Sequence, residues 1–164
     1  NTAPEAKSSE SGNSLLAPIV DASYDDIKTE SEQAISALPA KFEENFGLMQ
    51  QKLRAEERIK GKFLRRLNLA NFCYQAKHYN VAKVNLEELK VMIDELSLGD
   101  WEPALSTAVW QSLYLTNIQL LFTIDNDSTR LTMEKQQEEL FNKIAKHNGI
   151  LAINLEQQKH KRRK

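Results

Sequence analysis

The side chains that could do chemistry are few and scattered: three histidines, one cysteine and four adjacent glutamate pairs. His78 falls in a predicted turn, His147 at a predicted helix end and His160 in the terminal basic run. No His-Glu-x-x-His, His-x-x-His or cysteine pair supplies metal-ligand spacing, so no metal or other cofactor is expected. Each histidine reads as a surface or capping residue. Cys73 lies on the apolar side of its predicted helix beside Ala70, with no base placed next to it, and reads as a buried inert thiol. The pairs Glu43–Glu44, Glu56–Glu57, Glu87–Glu88 and Glu138–Glu139 cannot each share a site, because helical neighbours diverge by about 100°. They read as solvated faces. No glycine-rich phosphate loop occurs, and Gly61 stands alone in mid-helix. The residues taken by themselves point away from an enzyme, with no catalytic set.

Two charge features remain. Arg54, Arg58, Lys62 and Arg65 recur at steps of four, four and three and form a basic stripe. The stripe is either a solvated face paired with nearby acids or a docking strip for an acidic partner. Arg66 stands close to the apolar face and calls for a carboxylate or helix-end carbonyl. The terminal "KHKRRK", Lys159 to Lys164, lacks interleaved aromatics and reads as a solubilising tail rather than a nucleic-acid or lipid site.

The elements that carry these residues are helical. Glycine (5) and proline (4) are scarce, which leaves little turn chemistry for a many-stranded sheet. Ser23 and Asp26 mark a helix start, and apolar steps of three and four run from Ile27 to Leu53 through Pro39. Either one helix kinks at Pro39 or two meet there with Pro39 in the first turn. A second helix is expected over about Ala55–Lys77, with Ile59, Phe63, Leu67, Ala70 and Tyr74 inward. The third, about Asn80–Leu96, carries Ala82, Leu86, Leu89, Ile93 and Leu96 on one stripe. The short "KHYN" between them forces an antiparallel hairpin. Ala70 and Ala82, twelve apart, with Leu69 and Leu86, give that hairpin a tetratricopeptide-like packing signature without a second copy. Gly99 is placed to end the third helix in a left-handed conformation. In "GDWEP", Asp100 can cap, Pro103 opens the fourth helix and Trp101 reads as an apolar plug in the corner. From Val109 to Phe122 that fourth helix is apolar nearly all round, so it is either central or shared with another subunit. "DNDS" supplies a turn and N-cap for a last helix from about Thr129. "HNG" at 147–149 interrupts it, and "ILAINLE" then continues as helix, with a short strand as the alternative.

The expected architecture is thus all-α, a bundle of about five antiparallel helices. Residues 1–22 read as an interdomain linker, too polar to offset the cost of ordering, with the apolar patch "LLAPIV" (Leu15 to Val20) inside it. That patch is either an adventitious contact or a partner-docking peptide. Residues 23–128 form the helical domain, 129–158 a C-terminal helix and 159–164 the tail. No run of 18 apolar residues exists, so no membrane insertion is expected, and a formal net charge of −1 gives no argument for nucleic acid. A lone cysteine suits a reducing compartment.

The stretch Phe63-x-x-Arg66-Leu67-x-Leu69-Ala70-x-x-Cys73, then Ala82, Leu86-Glu87-Glu88-Leu89, Trp101-Glu102-Pro103-x-Leu105 and Leu113-Tyr114 resembles the C-terminal domain of the TssA family of type VI secretion proteins, the VasJ or ImpA-related branch. The resemblance covers about residues 35–122. It implies a non-enzymatic assembly component in the cytoplasm of Gram-negative bacteria. It further implies a ring-like homo-oligomer formed through this domain, contacts with the baseplate, the Hcp tube and the contractile sheath, and a role in priming or capping tail polymerisation. The family's N-terminal ImpA-type domain has no counterpart here, which fits a fragment beginning in the interdomain linker.

A ring needs surfaces beyond what a five-helix monomer buries. The interface candidates are Trp110, Tyr114, Leu121 and Phe122 on the fourth helix and Leu140, Phe141, Ile144 and Leu151 on the last. Ordinary intramolecular core is the competing reading of the same residues. The competing function is a monomeric helical adaptor that presents the Arg54–Arg65 stripe to an acidic partner.

Overall fold

A computed structural model describes residues 22–163, and all the regular structure assigned among them is helical, with no strand. A 3-10 turn over Ala22–Tyr24 leads into α1 (Asp25–Ser36). Then follow α2 (Phe42–Ala55), α3 (Ile59–Gln75), α4 (Tyr79–Leu96), the single turn α5 (Leu98–Trp101), α6 (Pro103–Leu121), α7 (Asp127–His147) and α8 (Gly149–Arg163). The chain divides into two compact units, Asn1–Leu89 and Lys90–Lys164, with the boundary inside α4.

In the first unit α1 and α2 each pack on α3. The buried face of α3 is Phe63, Leu64, Leu67, Ala70, Phe72 and Cys73, and Ile27 and Ala34 are the buried apolar residues of α1. Asn68, itself buried, donates from Nδ2 to the Ile27 carbonyl at 3.0 Å, so a polar group inside this packing is satisfied by the neighbouring backbone. Phe42 opens α2 by stacking on Phe72 at 5.1 Å between centroids and lies 4.4 Å from the His78 ring. The α3–α4 turn is short, as its length requires. Lys77 takes φ 68, and the His78 N–H closes the turn on the Cys73 carbonyl at 2.8 Å. Arg66 on α3 then reaches Asn85 on α4, as an antiparallel hairpin demands.

In the second unit α6 is central. Six consecutive residues, Leu105 to Trp110, are buried, and α6 packs on both α5 and α7. Helix α7 starts as the sequence predicts, with Asn126 Oδ1 accepting from the Thr129 N–H at 2.9 Å. Asn148 breaks α7 from α8 and caps the latter by accepting from the Leu151 N–H at 3.0 Å. Ala152 and Leu155 are buried on the face of α8, which packs against α7.

Several expectations are corrected. The Pro39 region holds two helices rather than a kinked one, and Pro39 stands in the connection over 37–41, not at the start of α2. Tyr24, not Ser23, occupies the N-cap of α1 and makes no side-chain cap. After α4 the left-handed residue is Ser97 (φ 53), while Gly99 sits inside α5, because the chain starts a new turn immediately. Helix α3 begins only at Ile59, which leaves Ile59 exposed, and Leu96 at the end of α4 is exposed as well. "ILAINLE" is helix, and α8 carries on through the basic run to Arg163. The patch "LLAPIV" and Lys164 lie outside the described residues, as does the expected linker apart from Ala22.

Candidate functional site

The residues expected to carry function fall on four surfaces. The first is the basic stripe. It does not lie along one helix: Arg54 is in the last turn of α2, residues 56–58 form a non-helical break, and Lys62 and Arg65 belong to α3. Two of its four cations are engaged within the chain. Glu56, read from sequence as solvated, is buried and gathers them. Its Oε2 accepts from the Arg58 backbone N–H at 3.0 Å and from Arg58 Nε at 2.8 Å, and its Oε1 accepts from Arg65 Nε at 2.8 Å. Arg65 continues to Glu30 at 2.8 Å, and Lys52 pairs with the same Glu30. Arg58 also donates to the Ser23 carbonyl at 3.0 Å and covers the Tyr24 ring. The knot therefore joins α1, α2, α3 and the turn before α1.

Electrostatics follow from this geometry. The hydrogen bond from Arg58 holds the Glu56 carboxyl well below the usual carboxylate range; burial opposes this, and Arg65 adds to it. For Arg65, burial works against the charged form, and Glu56 and Glu30 together overcome it and raise its pKa. Gly61 makes room for the knot. A Cβ there would stand 2.6 Å from Glu56 Cδ and 2.7 Å from Oε2. The sequence places this lone glycine in mid-helix, whereas α3 begins at Ile59 and puts it in the first turn; a helical glycine costs up to about 1 kcal/mol of propensity, and that cost was the available signal. Arg54 and Lys62 stay exposed. Arg66 finds neither a carboxylate nor a helix-end carbonyl but donates to Asn85 Oδ1 at 2.8 Å.

The second surface is the set of interface candidates. Trp110, Tyr114, Leu140 and Ile144 are buried inside the second unit, so they are intramolecular core there. Leu121, Phe141 and Leu151 are half-buried and Phe122 is exposed. Exposed apolar residues on α7 and α8 lie elsewhere, at Leu131, Ile150 and Ile153. Leu131 borders a groove floored by Tyr114, Gln137 and Phe141 and rimmed by Glu134 and Glu138.

The third is the corner. Pro103 occupies the first turn of α6, as expected. Trp101 is 79% exposed and plugs nothing. The buried indole is that of Trp110, which meets the His147 ring at 5.1 Å with Lys143 on it at 5.7 Å. The fourth is the outer side of α4, where Val81, Val84 and Val91 are exposed opposite the buried Ala82, Leu86, Leu89 and Ile93.

Burial pushes the Cys73 thiol up to about 12, so it stays protonated at neutral pH. Among the described residues no group of three or more His, Cys, Asp or Glu could hold a metal ion. Among them, too, no helix is long and apolar enough to cross a membrane. What the arrangement leaves open to solvent is apolar, at Leu131, Ile150 and Ile153 and along Val81, Val84 and Val91.

Comparison with known proteins places the chain. A solved structure described as "EAEC T6SS TssA-Cterminus" superposes with a TM-score of 0.65 at 21% identity, covering 75% of this chain and 92% of that one. At that identity the likeness establishes a shared helical fold. Among curated proteins no relative matches. Residues 17–113 match the protein family described as "Type VI secretion, EvfE, EvfF, ImpA, BimE, VC_A0119, VasJ". That match spans more than half of the sequence, from before α1 into the middle of α6, and the chain therefore belongs to the ImpA/VasJ family of type VI secretion proteins.

Proposed function

We propose that the chain is a non-enzymatic assembly component of a type VI secretion system, a self-associating helical domain that works in the cytoplasm. In this reading it forms a ring-like homo-oligomer, contacts baseplate, Hcp tube and sheath proteins, and helps prime or cap tail polymerisation. The observation that carries the reading is the family match over residues 17–113. The exposed apolar residues support it, because an assembly protein must keep such surface uncovered until it meets its neighbours. The α7–α8 segment contributes to a contact between subunits through Leu131, Ile150 and Ile153, the positions on these helices that the second unit leaves bare. The monomeric-adaptor alternative has less to stand on, since Arg58 and Arg65 already serve Glu56.

Light scattering and electron microscopy of the purified chain test this. A discrete oligomer many times 18.8 kDa, reduced in size by Leu131→Asp or by Ile150→Asp with Ile153→Asp, is the expected result. A stable monomer at all concentrations rejects the self-association.

A further inference from the structure

Helix α4 carries two apolar stripes. The inner one, Ala82, Leu86, Leu89 and Ile93, is core. The outer one follows positions 81, 84, 88, 91 and 95, steps of three, four, three and four: Val81, Val84, Glu88, Val91 and Glu95, all exposed. Alternating steps of three and four are the seam of a helix that pairs with another helix. Three valines facing water in one line are not needed to form α4, whose inner stripe already anchors it. Valine is also a weaker helix former than the leucine, lysine or glutamate a solvated face usually carries.

The charges along this face are polarised. The end of α4 carries Asp94 and Glu95, both exposed, and the turn before it carries exposed Lys77 and His78. A second copy of the same helix laid antiparallel matches both patterns at once. With the twofold axis at Leu86, Val81 faces Val91 of the second copy, Val84 faces Glu88, and Glu95 meets Lys77, while the His78 ring rests on Phe42 of its own chain. Each relation occurs twice, as an isologous contact requires. Glu88 lies over Val84 with its carboxylate free to reach solvent past the valine, so it costs stability but sets the register, as single polar residues in a seam do.

We infer that the outer face of α4 is a twofold, antiparallel contact between two copies of this chain, with Val81, Val84 and Val91 as its apolar layers and the acidic end of each helix against the basic turn of the other. The inference rests on the self-associating reading above and names the surface that would make its twofold step. A ring built from dimers needs two different contacts. This seam supplies one, and the α7–α8 face supplies the other. A single helix pair buries less than the roughly 1,200 Å² of a stable interface, so the seam alone is weak and depends on concentration.

Cysteine pairs read the register directly, because Cys73 is buried and leaves the background silent. Val81→Cys with Val91→Cys in one chain gives a disulfide-linked dimer under mild oxidation. Val81→Cys with Val84→Cys, whose positions do not face each other across the axis, gives none. Val84→Asp weakens self-association at least about tenfold by sedimentation. Glu95→Lys and Lys77→Glu each weaken it, and the two together restore it. All are surface changes and leave the circular-dichroism unfolding curve in place. If the wild-type chain associates but the 81/91 pair does not cross-link and Val84→Asp has no effect, the seam is wrong and the assembly reading stands. A wild-type chain that never leaves the monomer overturns both.

Discussion

The two units solve the same problem with different chemistry. Each must fix the register of packed helices, and apolar stripes alone tolerate sliding. The first unit uses charge beside the buried amide of Asn68: Glu56 ties Arg58 and Arg65 at its edge, with Arg58 and Asp26 partly in water. The second uses neutral amides deep in the packing. Asn117 Nδ2 donates to Gln136 Oε1 at 2.8 Å and to Gln137 Oε1 at 3.1 Å, and Gln137 Nε2 donates to the Tyr114 carbonyl at 3.0 Å. Asn117 and Gln137 are both buried. At the end of α6, Arg130 donates to the Leu121 and Ile124 carbonyls at 2.7 and 2.8 Å. Charges are tolerable near the surface, where their desolvation is incomplete; amides carry no net charge and can go to the centre. The amide ladder is consequently indifferent to pH, whereas the knot is not.

The largest effect should come from the knot. Glu56→Ala removes one of the two carboxylates 2.8 Å from Arg65, together with the acceptor of the Arg58 backbone N–H, and is expected to cost about 3 kcal/mol in urea denaturation. The same change reverses the sign of a second one. Gly61→Ala destabilises the wild type, because its Cβ meets a Glu56 held in place by hydrogen bonds, yet stabilises the Glu56→Ala background by up to about 1 kcal/mol of helix propensity. If Gly61→Ala costs the same in both, Glu56 is not what requires the glycine.

Next comes the ladder. Gln137→Ala strips partners from Asn117 and from the Tyr114 carbonyl, for about 2 kcal/mol, and Asn117→Ala adds less on top of it than alone. Acid separates the two devices. The Glu56 pKa is lowered in the folded state, so its stabilisation is fully present above the ordinary value of 4.5 and is lost only as pH falls well below it. Between pH 7 and pH 5 the cost of Glu56→Gln should not change; below pH 4 it should shrink, and the cost of Gln137→Ala should not follow. Salt gives the smallest signal. At 1 M the Debye length is about 3 Å, and the cost of Glu56→Ala should fall slightly, because its exposed partner Arg58 is the side that salt screens.

The helices and their inward faces were readable because period and capping are local. The stripe of Ala82, Leu86, Leu89 and Ile93, the Asn126 cap and Pro103 at the start of α6 all stand where their spacing put them. Glu56 was not readable. Its burial depends on Arg65, nine residues on, and on a gap left by Gly61, and neither relation appears in a period. The amides of Asn117 and Gln137 were missed because their partners lie about 20 residues away, across a helix pair. Trp101 misled for the opposite reason. An indole beside a proline corner looks like a plug, but Trp110 fills that role. Trp101→Ala should therefore shift stability by no more than about 0.5 kcal/mol, where a buried indole would cost several. Of the interface residues, the sequence could mark excess apolar surface on α6 and α7 but not which part the second unit covers by itself.

The placement of the indoles has an optical consequence. Both tryptophans, Trp101 and Trp110, belong to the second unit, and the first contains none. Tryptophan fluorescence, excited beyond the tyrosine band, thus reports on residues 90–164 alone, while far-ultraviolet circular dichroism sees helices everywhere. A difference between the two unfolding curves would expose separate melting of the halves. Trp101, red-emitting and open to quenchers in the isolated chain, would shift to the blue when another protein covers the corner, and Trp110 would hold the baseline.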